Sequence, residues 1–138
     1  MHATNYAESA IGSALFLNQA FPTITEWHVA LFTAASNPET GTVTEVHATN
    51  TGYARQPLNP GAHWAKRPNQ DVDGRTVFYN AVAVQFSAAL MNWGTVTHFG
   101  LFDQGGNLYL VAPLTAIKAV NIGDAPVFLA GELEIAVG

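Results

Sequence analysis

"WGTVTHFGLFD", Trp93 to Asp103, reads either as a ligand site or as a strand. It holds a tryptophan, two phenylalanines, a histidine, two threonines and an aspartate, with hardly a helix former. Alternation places His98, Gly100 and Phe102 on one side and Phe99 and Leu101 on the other, the pattern of a strand buried on both faces. Trp93 is expected to enter the strand, Thr95 to Phe102 to cross the sheet and Asp103 to begin a turn. The order recurs upstream. "HVALFTAASN" (His28 to Asn37) and "HFGLFDQGGN" (His98 to Asn107) share His, an apolar residue, a small residue, Leu, Phe, four loop-like residues and Asn. Either a duplication or convergence of two strands at equivalent positions of a sandwich accounts for the match.

Outward from this stretch, period two and β-branched or aromatic residues continue in short runs separated by Gly, Pro, Asn and Asp. Strands are expected near 26–34, 42–47, 53–58, 76–86 with a break, 95–103, 107–112, 116–121 and 127–136 with a bend at Gly131. Helical crossovers to join parallel neighbours are missing, so the fold expected is mainly β, an antiparallel β-sandwich or jelly-roll-like domain. One helix, about residues 5–20, precedes a β domain of about 24–138. Asn5 followed by Glu8 has capping-box spacing, and Ala7, Ile11 and Leu15 with Ala10, Ala14 and Leu17 recur at helical period before Pro22. "NPGAHWAKRPNQDVDG", Asn59 to Gly74, is the longest stretch without strand pattern and is expected to be a loop, of a length usually functional or flexible.

The 138 residues make one domain, 1–138, able to bury roughly two thirds of its unfolded surface. Apolar residues are 49% and charged ones 11%, far below the roughly one quarter usual for globular chains, so the surface is expected to be covered by a neighbour. The longest apolar runs, such as "LYLVAPL" at 108–114, fall well short of the roughly 20 residues of a membrane span. The first residues lack the basic region of a secretory signal, which implies production and residence in the cytoplasm. No cysteine is present, so stability rests on packing or assembly. A net charge of -5, with only Lys66, Arg67 and Arg75 near one another, speaks against nucleic acid.

Motifs for chemistry are weak. His28 and His98 lack metal-ligand spacing and read as packing residues on strands. "DVDG", Asp71 to Gly74, has its glycine two positions too early for a calcium loop, and Arg75 stands where an oxygen ligand is needed, so it reads as a turn. Glu132 and Glu134 share one side of a strand with Leu133, Ile135 and Val137 on the other, a solvated face over a core and not a glycosidase pair. There is no nucleophile elbow, and Gly105-Gly106 precedes a strand, as a hairpin does and a phosphate cradle does not. No catalytic residue, cofactor or metal ligand is therefore assigned. Trp64, Lys66 and Arg67, in the 59–74 loop, are the candidate partner interface, since aromatic and arginine side chains commonly anchor interfaces.

"GYAR" (52–55), "WGTVTHFGLFD" (93–103), "GNLYL" (106–110), "KAVNIGD" (118–124) and "FLAGELEI" (128–135) together resemble short bacteriophage virion proteins commonly labelled tail fibre proteins. The resemblance covers most of the chain and departs from the family's pattern in the 59–74 loop. It implies a non-enzymatic structural protein of the virion, assembled in the host cytoplasm against the major capsid protein or tail proteins. Fibre stalks normally carry collagen-like, heptad or β-helix repeats, none of which occurs here, so a head decoration or cement protein is the leading expectation. A short tail fibre, tail-tip or adaptor protein is the alternative, and a small hydrolase a remote one. A homo-oligomer is expected, with a trimer as the form virion surface proteins commonly take.

Overall fold

The computed structural model describes Met1 to Gly138. Its main sheet is built on the repeated motif. Strand β2 (His28–Asn37) lies antiparallel to β8 (Gly94–Phe102), and the two copies of the motif pair with each other: His28 opposite Phe102, Ala30 opposite Gly100, Phe32 opposite His98. A local two-fold therefore relates them, with the small residues at its centre. Beyond β8 comes β9 (Leu108–Val120) and then the short β1 (His2–Ala3). On the other edge of β2 lie β3 (Thr42–Glu45) and β4 (Gln56–Pro57).

A three-stranded sheet of β5 (Trp64–Lys66), β6 (Thr76–Asn80) and β11 (Glu134–Val137), with the pair β7 (Val84–Gln85) and β10 (Val127–Phe128), faces the main sheet. Every ladder is antiparallel. The chain is thus a mainly antiparallel, sandwich-like β domain with one N-terminal helix, α1 (Asn5–Phe16). Between the sheets lies the larger core, where Val29, Leu31, Phe99 and Leu101 meet Phe86, Phe128, Leu133 and Ile135. The outer face of the main sheet carries a smaller core of Ala30, Phe32 and Val111, with Phe102 half-buried against it.

Several boundaries differ from those expected. β9 is one strand where two were expected. Pro113 does not divide it because β1 pairs β9 only at Leu110 and Val111, so the missing N–H lies along an open edge. The register slips between Val96 and His98, which lets Val96 and Phe99, three apart, both face the larger core. The run 127–136 is two strands joined by a turn at Gly131 (φ 89°), and 76–86 breaks after Asn80. Trp93 stands just before β8 and is anchored, its indole N–H donating to the Thr51 carbonyl at 2.9 Å.

The turn residues behave as their chemistry dictates. At the β8–β9 hairpin the Asp103 carboxylate accepts from the amides of Gly105 (2.9 Å) and Asn107 (2.8 Å), and Gly106 takes φ 83°. "DVDG" repeats the device: Asp71 accepts from Asp73 and Arg75, both at 2.9 Å, and Gly74 takes φ 78°.

Candidate functional site

Helix α1 begins where Thr4, and not Asn5, caps it. The Thr4 hydroxyl accepts from the Ala7 amide (3.3 Å) and donates to the Leu108 carbonyl (2.6 Å). The Thr4 amide donates to the Tyr109 carbonyl (2.9 Å) and the Asn5 amide to that of Glu39 (2.8 Å). This end is held against β9, with Tyr6, Phe21 and Trp27 around the Tyr109 ring at centroid distances of 5.3, 6.2 and 5.0 Å. The other end is bare. Of the apolar residues at helical spacing only Ala7 is buried, while Leu15, Phe16 and Leu17 are 70%, 82% and 65% exposed. The helix stops four residues short of the expected end, with Asn18 at φ 54°. Within its apolar stripe Ala7 is buried and Ala10 and Ala14 half-buried, while Ile11, Leu15 and Leu17 face outward, a division that period alone cannot reveal.

The second open surface is a groove of about 300 Å³ at one end of the sandwich. Leu101 and Leu110 form its wall on the main sheet, and Phe78, Ile135 and Val137 the opposite wall. Trp27 and Trp64 flank it. Trp64 lies in β5, within the segment expected to be all loop, because "WAK" pairs along β6: Trp64 opposite Asn80 and Lys66 opposite Phe78. It is half-buried, and its indole N–H donates to the Leu58 carbonyl at 3.1 Å. Lys66 projects on the same face and makes no ion pair. Arg67 turns to the other face, where it pairs with Glu134. The structure therefore places Trp64 and Lys66 on one face of β5, with Trp64 lining the groove, and separates Arg67 from them. Val137, expected to face a core, is exposed at the groove wall, and Glu132 leaves the strand to accept from the Leu129 amide at 2.8 Å.

His28 and His98 lie at opposite ends of the paired motif, four ladder positions apart, a separation of roughly 13 Å along a strand. His28 sits 2.9 Å from Glu26, and His98 Nδ1 2.8 Å from the Thr97 hydroxyl. The polar residues of "GYAR" also serve the fold. Gly52 (φ 77°) passes so close to the Ala88 carbonyl that a Cβ would stand 2.8 Å from it. The Tyr53 hydroxyl accepts from the Leu31 amide (3.0 Å) and donates to Glu45 (2.6 Å). Arg55 grips Glu45 with two bonds of 2.9 Å while lying 3.6 Å over the Phe102 ring.

Burial pushes the Glu45 carboxyl up, but Arg55 and Tyr53 outweigh it and hold the group below its ordinary value. Burial likewise raises Asp103, and the Asn107 and Gly105 amides overcome it. A carboxyl depressed in the folded state contributes stability above its unfolded pKa of about 4, and loses it as pH falls through the folded value. Melting temperature should accordingly fall below about pH 4, and Glu45→Gln should flatten that decline. An unchanged slope in the variant would remove Glu45 from the account.

Fold and open surfaces together define a small β-rich structural domain with much apolar surface still uncovered. The chain belongs to the podophage GP4 fiber I protein gp80 family, whose sequence model matches residues 2–136. It is a bacteriophage virion structural protein, associated with other virion proteins. No curated protein matches it. No helix is long and apolar enough to cross a membrane.

Proposed function

We propose that the domain is a non-catalytic, fibre-class component of the phage tail, held in the particle by neighbouring virion proteins. The bare helix end carries this reading: three consecutive large apolar side chains in water call for a covering partner. The fibre class follows the family description. Trp64 and Lys66, on one face beside the groove, supply a second contact, and Arg67 lies outside it.

Particle location tests the assignment. Labelling the protein on purified virions, with copy number read from a stained gel, should give a handful of copies at the tail. Hundreds of copies over the head would overturn the fibre reading in favour of head decoration.

A further inference from the structure

A polar cleft of about 390 Å³ lies at the start of α1, at the other end of the helix from Leu15 and Phe16. Three segments line it: Asn5 and Tyr6 of the helix start, Glu39 and Thr40 of the β2–β3 turn, and Asn107 and Leu108 of the β8–β9 hairpin. Its size falls within the roughly 300–1,000 Å³ of small-molecule sites, and such sites are commonly built by loops that a rigid scaffold holds in place. The three segments are tied to one another here. The Asn5 amide donates to the Glu39 carbonyl at 2.8 Å, and the Thr4 hydroxyl to the Leu108 carbonyl at 2.6 Å.

The side chains of the cleft are set in place with bonding capacity unspent. Asn107 Nδ2 donates to both oxygens of Asp103, at 3.1 and 3.3 Å, which fixes the amide and leaves its Oδ1 acceptor unused. Glu39 is exposed and makes no ion pair. The Tyr6 ring is 46% exposed and is braced in a T-shaped contact on buried Tyr109. The Tyr109 hydroxyl is itself buried without a hydrogen-bond partner, a donor that native folds normally satisfy. The composition of the lining selects the ligand. No Lys or Arg is present, so an anion finds no counter-charge and meets Glu39. Tyr6 and Leu108 alone are too little apolar surface for a lipid or an apolar peptide. One carboxylate without a histidine is too few ligands for a metal ion. A pyranose has what the cleft can use: a C–H face for an aromatic ring, and hydroxyl donors for a carboxylate and an amide oxygen.

We propose that this cleft binds one pyranose unit of an uncharged glycan, stacked on Tyr6 with its hydroxyls donating to Glu39 and to Asn107 Oδ1. Glu39 and Asn107 sit on separate turns that the fold fixes before the ligand arrives, so little ordering accompanies binding. A single sugar ring is small, and its dissociation constant is expected to be on the order of millimolar. The proposal does not depend on where the domain sits in the particle: it is tested on purified protein, and particle location bears only on the preceding reading.

Nuclear magnetic resonance on the isotope-labelled full chain reads the site directly. The probes are glucose, galactose, mannose and N-acetylglucosamine, with glucuronate as the charged control, each raised to roughly tenfold above the expected constant. At least one neutral sugar should move the Asn107 side-chain amide and the Tyr6 and Gly106 backbone amides along a saturating curve. Glucuronate should bind more weakly, because it brings a second carboxylate to Glu39. Tyr6→Ala should weaken binding about 10-fold or more. Glu39→Gln, at an exposed position, tests the polar contact independently should circular dichroism show the Tyr6 variant unfolded, and it should weaken binding about 3-fold or more. No response of the cleft to any neutral sugar overturns the proposal, as do shifts confined to residues outside it. Binding that survives both substitutions also overturns it, and preference for glucuronate overturns the uncharged class.

Discussion

Asn80→Leu lowers the unfolding free energy by about 3–5 kcal/mol, a large part of the 5–15 kcal/mol typical of a domain. Asn80 is fully buried, and its amide joins three segments. The side-chain N–H groups donate to the carbonyls of Val82 (2.9 Å), Leu129 (3.0 Å) and Phe128 (3.4 Å). The side-chain oxygen accepts from the amides of Leu133 (2.9 Å) and Gly131 (3.2 Å). Leucine fills the same space, so no cavity forms, but the Leu133 amide and the Phe128 carbonyl lose partners where water does not reach.

Asn80→Asp separates hydrogen bonding from shape. The acceptor for Leu133 survives, while the second oxygen faces three carbonyls, so the ionised form is disfavoured and the folded pKa rises above the unfolded value of about 3.9. The folded state then holds a proton that the unfolded state releases, and stability falls as pH rises through that window. Urea denaturation should find Asn80→Asp weaker at pH 7 than at pH 5, while the depressed carboxyls of the parent leave it unaffected until lower pH. An Asn80→Leu variant within about 1 kcal/mol of the parent would show that the network contributes little.

Asn80 was not legible beforehand. In "FYNAVAV" an asparagine among apolar residues signals a break, and the break at 81–83 is there, but its partners lie about fifty positions away and no local pattern points to them. The strand character of "WGTVTHFGLF" and "HVALF" was legible, because period two and two-sided burial are local properties. That they pair with each other was not, since pairing is a tertiary choice between chemically similar strands. The helix shows the same limit from the other side: its stripe was readable, and its direction depended on Thr4 being tied to β9. Among the proposed contact residues, Trp64 and Arg67 are three apart in sequence yet on opposite faces once "WAK" becomes a strand.

Phe32→Ala should cost about 3–5 kcal/mol and Gly100→Ala about 1–3 kcal/mol, yet together they should cost at least about 1 kcal/mol less than the sum. Phe32 is fully buried on the outer face of the main sheet, where its ring lies across the next strand. A Cβ on Gly100 would stand 2.5 Å from Phe32 Cε2, 2.8 Å from Cζ and 3.1 Å from Leu108 Cδ1, so the glycine is required by these side chains, the ring above all, and not by its own backbone. With the ring present, the added methyl drives Phe32 from its position and disturbs its edge-on contact with Phe102, at 6.4 Å between centroids. With the ring gone, the same methyl enters the vacated space and restores part of the lost packing. The coupling also explains why the motif is repeated imperfectly. Ala30 and Gly100 occupy equivalent positions about the local two-fold, and at Gly100 the Phe32 ring leaves no room for a Cβ. A double-mutant cycle by chemical denaturation measures the term, and strict additivity would show that something other than the Phe32 ring excludes a side chain at position 100.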